Sequence, residues 1–273
     1  MIIMVYNFSM DKRFSTCHKR FLHEQWKKEE ETPFKGWDFS HIQSMYESFD
    51  TPWDYAGIVR SFLKKDMLLL DMGTGGGEFL LKLNHPYTRT WVTEKYLPNV
   101  EIIKAKLIPL GIKLCFTDDD DMLKLDSDYF DIIINRHESY SLKEVSRILK
   151  NNSLFITQQV SGDNNISLST RIIDRYKPAY PDHNLYNEIN RFKKAGFDII
   201  YSSEAVIPSL FYSVSAIIYY AKTIEWEFPG FNVDKCLDKL YLLQEEIEKK
   251  GYVPSNESRF IIVAVNRKGF KND

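Results

Sequence analysis

Apolar and polar positions change rhythm twice along the chain. Residues 9–31 place Phe14, Cys17, Phe21 and Leu22 roughly on one face at helical spacing, and Pro33 stops the run. Residues 36–53 carry Trp37, Phe39 and Tyr46 without a period and read as an irregular loop. A helix is predicted over 55–62. From residue 67 onward, short apolar runs alternate with helical stretches. Strands are predicted over 67–71, 88–93, 112–116, 130–134, 153–159, 197–202 and 260–266, with helices over 78–83, 99–108, 142–149 and 185–195. The consecutive Ile132, Ile133 and Ile134 mark a strand buried on both faces. Such alternation predicts an α/β fold: a Rossmann-like, doubly wound, mostly parallel seven-stranded sheet.

Residues 206–258 are too many for a simple connection and should hold structure of their own. Asn232 can cap a helix carrying Val233, Cys236, Leu237, Leu240, Leu243 and Ile247, ended by Gly251. Phe211, Tyr219, Tyr220, Trp226 and Phe228 precede it. The organisation expected is an N-terminal helical and aromatic lid segment over 1–55 and a ligand-binding domain over 56–267. Within that domain, 206–258 is an insert before the last strand, forming a substrate lid.

The chemistry concentrates at Leu70-Asp71-Met72-Gly73-Thr74-Gly75-Gly76-Gly77-Glu78. A buried strand delivers a carboxylate and alternate glycines into a tight turn before a helix. Glycines admit positive φ and close approach of backbone to a ligand. A dinucleotide loop spaces its glycines G-x-G-x-x-G, which fails here at Glu78 or Leu80, and the Gly-Lys-Ser/Thr of a triphosphate loop is absent. A carboxylate at the helix start would also repel a pyrophosphate.

The D-x-G-x-G-x-G spacing at Asp71, Gly73, Gly75 and Gly77 resembles the first motif of class I methyltransferases that use S-adenosylmethionine (SAM). SAM has no phosphate and carries an ammonium and a sulfonium, so acidic neighbours suit it. The resemblance implies that Glu94, ending the second strand of the repeat, accepts from both ribose hydroxyls. It implies that an acidic residue of Asp118 to Asp121, best matched by Asp119, receives the adenine amino group. It also places Asn135 and its neighbours against the sulfonium and the acceptor, and makes Tyr55 a contact to SAM. Residues 71–79, 135–140 and 226–231 together are similar to bacterial methyltransferases of unassigned substrate. The D/N-P-P-Y/F motif of the nucleic-acid amino-methyltransferases and the cysteine of the cytosine C5 enzymes are both missing after the strand ending near Asn135.

Methyl transfer is a displacement in which positioning supplies much of the rate. Where the acceptor must lose a proton, His137 is the first candidate base, and Glu138 either orients it or serves as base itself. Gln158 and Gln159 end a strand at the ligand edge and can hydrogen-bond an acceptor.

Charge then narrows the acceptor. Among 273 residues, 36 basic and 38 acidic side chains leave a net charge of -2, which disfavours a large nucleic-acid partner. A small-molecule acceptor is expected. One alternative is an RNA methyltransferase using Lys12, Arg13, Lys19, Arg20, Lys27 and Lys28 as a basic patch; another is a SAM-binding module without turnover. The scattered Cys17, Cys115 and Cys236 suggest neither a disulfide framework nor a metal site. The apolar start is too short for a signal peptide, and no run approaches the roughly 20 residues that span a bilayer. A cytoplasmic protein is expected.

Overall fold

The computed structural model describes residues 15–34, 39–117 and 121–269. Helix α1 (Thr16–Glu30) opens beneath the Ser15 hydroxyl, which accepts from the His18 amide, and it buries Leu22 and Trp26. The buried face is turned relative to the one expected. Phe21 is 55% exposed and Cys17 is exposed, because Leu22 and Trp26, four residues apart, form the inward row. Phe14 and Trp37 lie outside the described residues.

The remaining elements are β1 (Tyr46–Ser48), α2 (Tyr55–Phe62), β2 (Leu69–Met72), α3 (Glu78–Leu81), β3 (Thr90–Glu94), α4 (Leu97–Lys106) and β4 (Lys113–Phe116). They continue with β5 (Phe130–Arg136), α5 (Leu142–Ile148), β6 (Leu149–Val160), α6 (Ile166–Ile172), α7 (Leu185–Lys194) and β7 (Phe197–Phe211). The series ends with α8 (Val214–Thr223), α9 (Val233–Lys250) and β8 (Val253–Asn266).

The sheet has eight strands rather than seven, in the order β1-β7-β8-β6-β5-β2-β3-β4. The extra strand is β1, in the segment read as loop. It pairs antiparallel with the far end of β7, Tyr46 opposite Phe211, a partner remote in sequence. The β4-β3-β2-β5-β6 block is parallel, and β8 joins β6 and β7 antiparallel. Ile133 packs in one hydrophobic cluster with Phe155 and Phe192, while Ile132 and Ile134 pack in another with Val59 and Ile261. The isoleucine triplet is therefore buried on both faces, as a parallel sheet covered by helices requires.

The β7–β8 hairpin pairs all the way from Phe197 opposite Asn266 to Phe211 opposite Val253. Residues 206–258 thus contain the hairpin's extension plus α8 and α9. Asn232 accepts from the Asp234 and Lys235 amides, and Gly251 closes α9 at φ 88°. Tyr219, Tyr220, Phe228 and Leu240 from this stretch share a third cluster with Leu22, Trp26 and Ile42 from the N-terminal segment. Most of the aromatic residues there serve as core, while Tyr212, Trp226 and Tyr252 are left exposed.

Candidate active site

The strand order reverses between β2 and β5, whose ends bring Met72 opposite Asn135. Open α/β sheets bind ligands in the crevice at such a reversal, beyond the carboxyl ends of the strands. The glycine loop leaves β2 there. Gly73 and Gly75 adopt φ of 69° and 62°, and Gly77, at 81°, caps α3. The loop is tied to β3: the Thr93 carbonyl accepts from Gly73 at 3.1 Å and from Thr74 at 3.2 Å, and the Glu94 carboxylate accepts from Gly75 at 3.0 Å. A Cβ on Gly73 would lie 2.4 Å from Glu138 Cγ, so that glycine makes room for a side chain. A Cβ on Gly75 would meet nothing within 4 Å, so this backbone stands open to a ligand.

Three carboxylates surround the loop. Asp71 is buried. Burial raises its pKa to about 7, against the pull of the Thr74 hydroxyl and the Arg136 charge and with a push from Glu94. Glu94, also buried, accepts at Oε1 from the Lys95 and Tyr96 amides and at Oε2 from Gly75 and the Asn99 amide. Glu138 lies against Gly73 and pairs with Lys95 at 2.7 Å, spanning the crevice mouth from the end of β5 to the end of β3. The cations at this edge are engaged: Lys95 on Glu138, and the Arg136 guanidinium 4.5 Å over the Phe79 ring.

Asn135 is fully buried. Its Oδ1 accepts from Thr157 at 3.0 Å and Gln159 at 2.6 Å, while its Nδ2 has no partner. A buried donor left unmade costs about 1–3 kcal/mol, so this amide is suited to a ligand acceptor. Tyr55 is buried beside it and donates to the Asn135 carbonyl at 3.0 Å, with its ring 5.3 Å from Phe79. Burial, with the nearby Asp71 charge, keeps that hydroxyl protonated. Its hydroxyl is therefore committed to backbone, and only its ring remains for a ligand. Glycine backbone open to the crevice, an acidic rim and an unsatisfied amide fit the donor-rich, cationic, phosphate-free chemistry of SAM.

His137 follows β5 with φ 62°, a left-handed conformation that few side chains tolerate. Its amide donates to the Gln158 carbonyl at 2.9 Å, extending the β5–β6 pairing. The Trp53 indole, a donor only, reaches Gln158 Oε1 at 2.7 Å, which turns the Gln158 amide toward His137 Nε2 at 3.1 Å. Nε2 therefore accepts, and the ring proton sits on Nδ1. The residue as a whole is exposed, while protein packed around the ring disfavours the cation. The Arg259 and Arg136 charges add to this, lowering the pKa to about 3. His137 is thus neutral at ordinary pH and offers a hydrogen-bond donor, with its Nε2 lone pair already engaged.

Asp71, Gly73, Gly75, Gly77, Glu94, Asn135, Tyr55, His137 and Glu138 all gather at this one crevice. Asp119, the residue expected at adenine, lies outside the described residues. The sequence reading missed Lys95 as partner of Glu138 and Arg136 as cover for Phe79. Both depend on contacts between segments far apart in the chain. Among the described residues no His, Cys, Asp and Glu cluster is placed to hold a metal ion, and no helix is long and apolar enough to cross a membrane.

No protein-family profile matches the chain, and no curated protein matches it. Solved structures do. A Bacillus halodurans protein provisionally named a methyltransferase aligns over 79% of this chain and 99% of its own, with 13% identity and a TM-score of 0.53. The YcgJ protein of Bacillus subtilis aligns over 79% and 99%, with 16% identity and a TM-score of 0.52. A functionally unknown protein of Deinococcus radiodurans aligns over 81% and 92%, with 11% identity and a TM-score of 0.55. The chain shares the Rossmann-like fold of these solved structures.

Proposed function

We propose that this protein is a SAM-dependent methyltransferase acting on a small-molecule acceptor by direct in-line displacement. The observation that carries this reading is the lining of the β2–β5 crevice. An open glycine loop is ringed there by Asp71, Glu94 and Glu138, whereas a phosphate-bearing nucleotide calls for basic groups and free helix amides. When bound, SAM supplies a methyl group on a sulfonium, ready for attack by a nucleophile.

The chain's own residues have distinct tasks. Gly75 leaves the loop backbone bare, Gly73 admits the Glu138 side chain, Gly77 turns the loop into α3 against Leu107, and Asp71 provides negative charge beneath the loop. Glu94 is the acceptor for ribose hydroxyls, Asp119 for the adenine amino group, and Asn135 Nδ2 donates into the crevice. Tyr55 holds the end of β5 in place and lends its ring as a wall. His137 orients the acceptor by donating from Nδ1. Glu138 is the group placed to take a proton where the acceptor must lose one, after parting from Lys95.

The basic residues of α1 are largely spent within the protein, which supports a small acceptor over RNA. Arg20 pairs with Glu24, Lys27 pairs with Glu30 and Asp234, and Lys19 lies over the Tyr241 ring. The unpaired Cys17, Cys115 and Cys236 support a reducing, cytoplasmic setting. The test is transfer of labelled methyl from SAM to a panel of small amines, alcohols and thiols, with structured RNA alongside. Label entering a small acceptor is expected. Label entering RNA alone, or no transfer by protein that still binds S-adenosylhomocysteine, overturns the acceptor assignment.

A further inference from the structure

Beyond the crevice, β6 runs on into a second recess. Gln158 and Gln159 touch His137 and the Glu138 carbonyl, and the residues that follow, 160–162, form one wall of a small open cleft. Its other walls include Tyr176, Tyr180, Trp226 and Glu227. Gly162 is required there, because a Cβ would fall 1.8 Å from the Tyr180 carbonyl oxygen. The cleft wall is therefore closely fitted, and it adjoins the place where an acceptor must meet the end of β5.

Glu227 is the unusual member. It is only 6% exposed, yet neutral amides hold it: Asn164 donates to one oxygen and Asn165 to the other, each at 2.7 Å. Those amides are themselves pinned. Asn164 Oδ1 accepts from the Ser258 amide at 2.8 Å and from Arg259 at 2.6 Å, and Asn165 Oδ1 accepts from Ser255 at 2.9 Å. Arg259 is the cation that bears on Glu227 among the described residues, and its ion pair is with Glu257. Two buried carboxylates thus share one guanidinium, and Glu227 has no ion-pair partner among the described residues. The deficit is felt locally: burial raises the Glu227 pKa, and the Glu227 charge contributes to raising that of the Tyr176 hydroxyl. A rigidly held carboxylate among aromatic faces favours a cation, through charge pairing and through the ring quadrupoles.

We propose that this cleft anchors the methyl acceptor by a protonated nitrogen, so that the acceptor is an organic ammonium compound with Glu227 as its counter-charge and Tyr176, Tyr180 and Trp226 around it. The proposal rests on the methyltransferase reading only for calling the ligand an acceptor; the cation site itself stands or falls separately.

The test is calorimetric titration of the full chain at neutral pH with benzylamine, which is protonated there, and with benzyl alcohol, its neutral counterpart of similar shape. S-adenosylhomocysteine is titrated in parallel. Benzylamine is expected to bind at least about tenfold more tightly than the alcohol. Trp226→Leu and Glu227→Gln should each erase most of that preference with S-adenosylhomocysteine affinity unchanged. Glu227→Gln sets an amide donor against an asparagine donor and can perturb folding; Trp226→Leu leaves the Glu227, Asn164 and Asn165 hydrogen bonds in place. Equal or undetectable binding of the two probes by protein that binds S-adenosylhomocysteine overturns the cation site alone. Preference for benzylamine without S-adenosylhomocysteine binding keeps the site and overturns the methyltransferase reading.

Discussion

The Gly75 amide donates to the Glu94 carboxylate at 3.0 Å, joining the open point of the glycine loop to the end of the neighbouring strand. Lys95, Tyr96 and Asn99 supply three further donors, so each Glu94 oxygen already accepts two. A ribose diol must displace one of them, and Asn99, at 3.3 Å, is the longest. Asn99→Ala should therefore leave S-adenosylhomocysteine affinity unchanged or tighten it. Glu94→Gln exchanges charge-assisted bonds for neutral ones and should lower unfolding stability by roughly 2–4 kcal/mol. Urea titrations and calorimetry read the two effects. An Asn99→Ala variant that binds much more weakly would show that the asparagine is a ligand and no mere placeholder.

Gly73 and Gly75 differ in what an added methyl would meet. At Gly73 it strikes Glu138 at φ 69°, and at Gly75 it enters open space at φ 62°. Both alanine variants carry the left-handed penalty of about 1–2 kcal/mol. Gly73→Ala should add to it by pushing Glu138 off Lys95, and so lose more stability. Gly75→Ala should lose more affinity for S-adenosylhomocysteine, because its methyl occupies the ligand face. The reverse ranking would contradict the crevice as described.

Asp71 sets a pH dependence. Its folded pKa, near 7, lies above the ordinary value of 3.8, so the folded protein holds a proton that the unfolded chain releases. The resulting stabilisation is complete below about pH 4 and is lost as pH rises through 7. Asp71→Asn cannot titrate, so the variant should gain stability relative to wild type between pH 5 and pH 8. Urea midpoints at those two values test it, and a constant gap between the proteins would place the folded Asp71 pKa below this window. Binding of a cationic cofactor should strengthen over the same rise in pH, as the carboxylate ionises.

Much of the fold was legible because its signals are local. The helix over 55–62 matches α2 at both ends, and Asn232 and Gly251 bound α9 as their chemistry requires. The glycine loop could be read because Asp71, Gly73, Gly75 and Gly77 are contiguous and their spacing excludes phosphate loops. What stayed hidden depends on distant partners. Tyr46 to Ser48 form a strand only because the extended β7 lies beside them. The strand predicted over 197–202 runs on to Phe211 because β8 covers it for its full length, which no local pattern reveals. The His137 tautomer depends on Trp53 and Gln158, from three separate segments. The N-terminal helix keeps Leu22 inward as expected but turns Phe21 and Cys17 outward, because Trp26 rather than Phe21 packs into the cluster with α8 and α9.

His137 should behave as a neutral donor. In nuclear magnetic resonance titrations its ring is expected to show the Nδ1–H tautomer and no protonation between pH 5 and pH 8, since its pKa is held near 3. Gln158→Glu replaces the donor to Nε2 with an acceptor and should raise that pKa by at least about one unit. A wild-type midpoint near 6.5 would restore His137 as a base at neutral pH.

The central claim is the cofactor, and calorimetric titration with S-adenosylhomocysteine tests it most directly, using the wild type beside Asp71→Ala and Glu94→Ala. Micromolar binding by the wild type is expected, weakened at least about tenfold in each variant, with folding confirmed by circular dichroism. A well-folded wild type that binds no S-adenosylhomocysteine would contradict the claim, leaving a Rossmann-like fold whose glycine crevice serves another ligand.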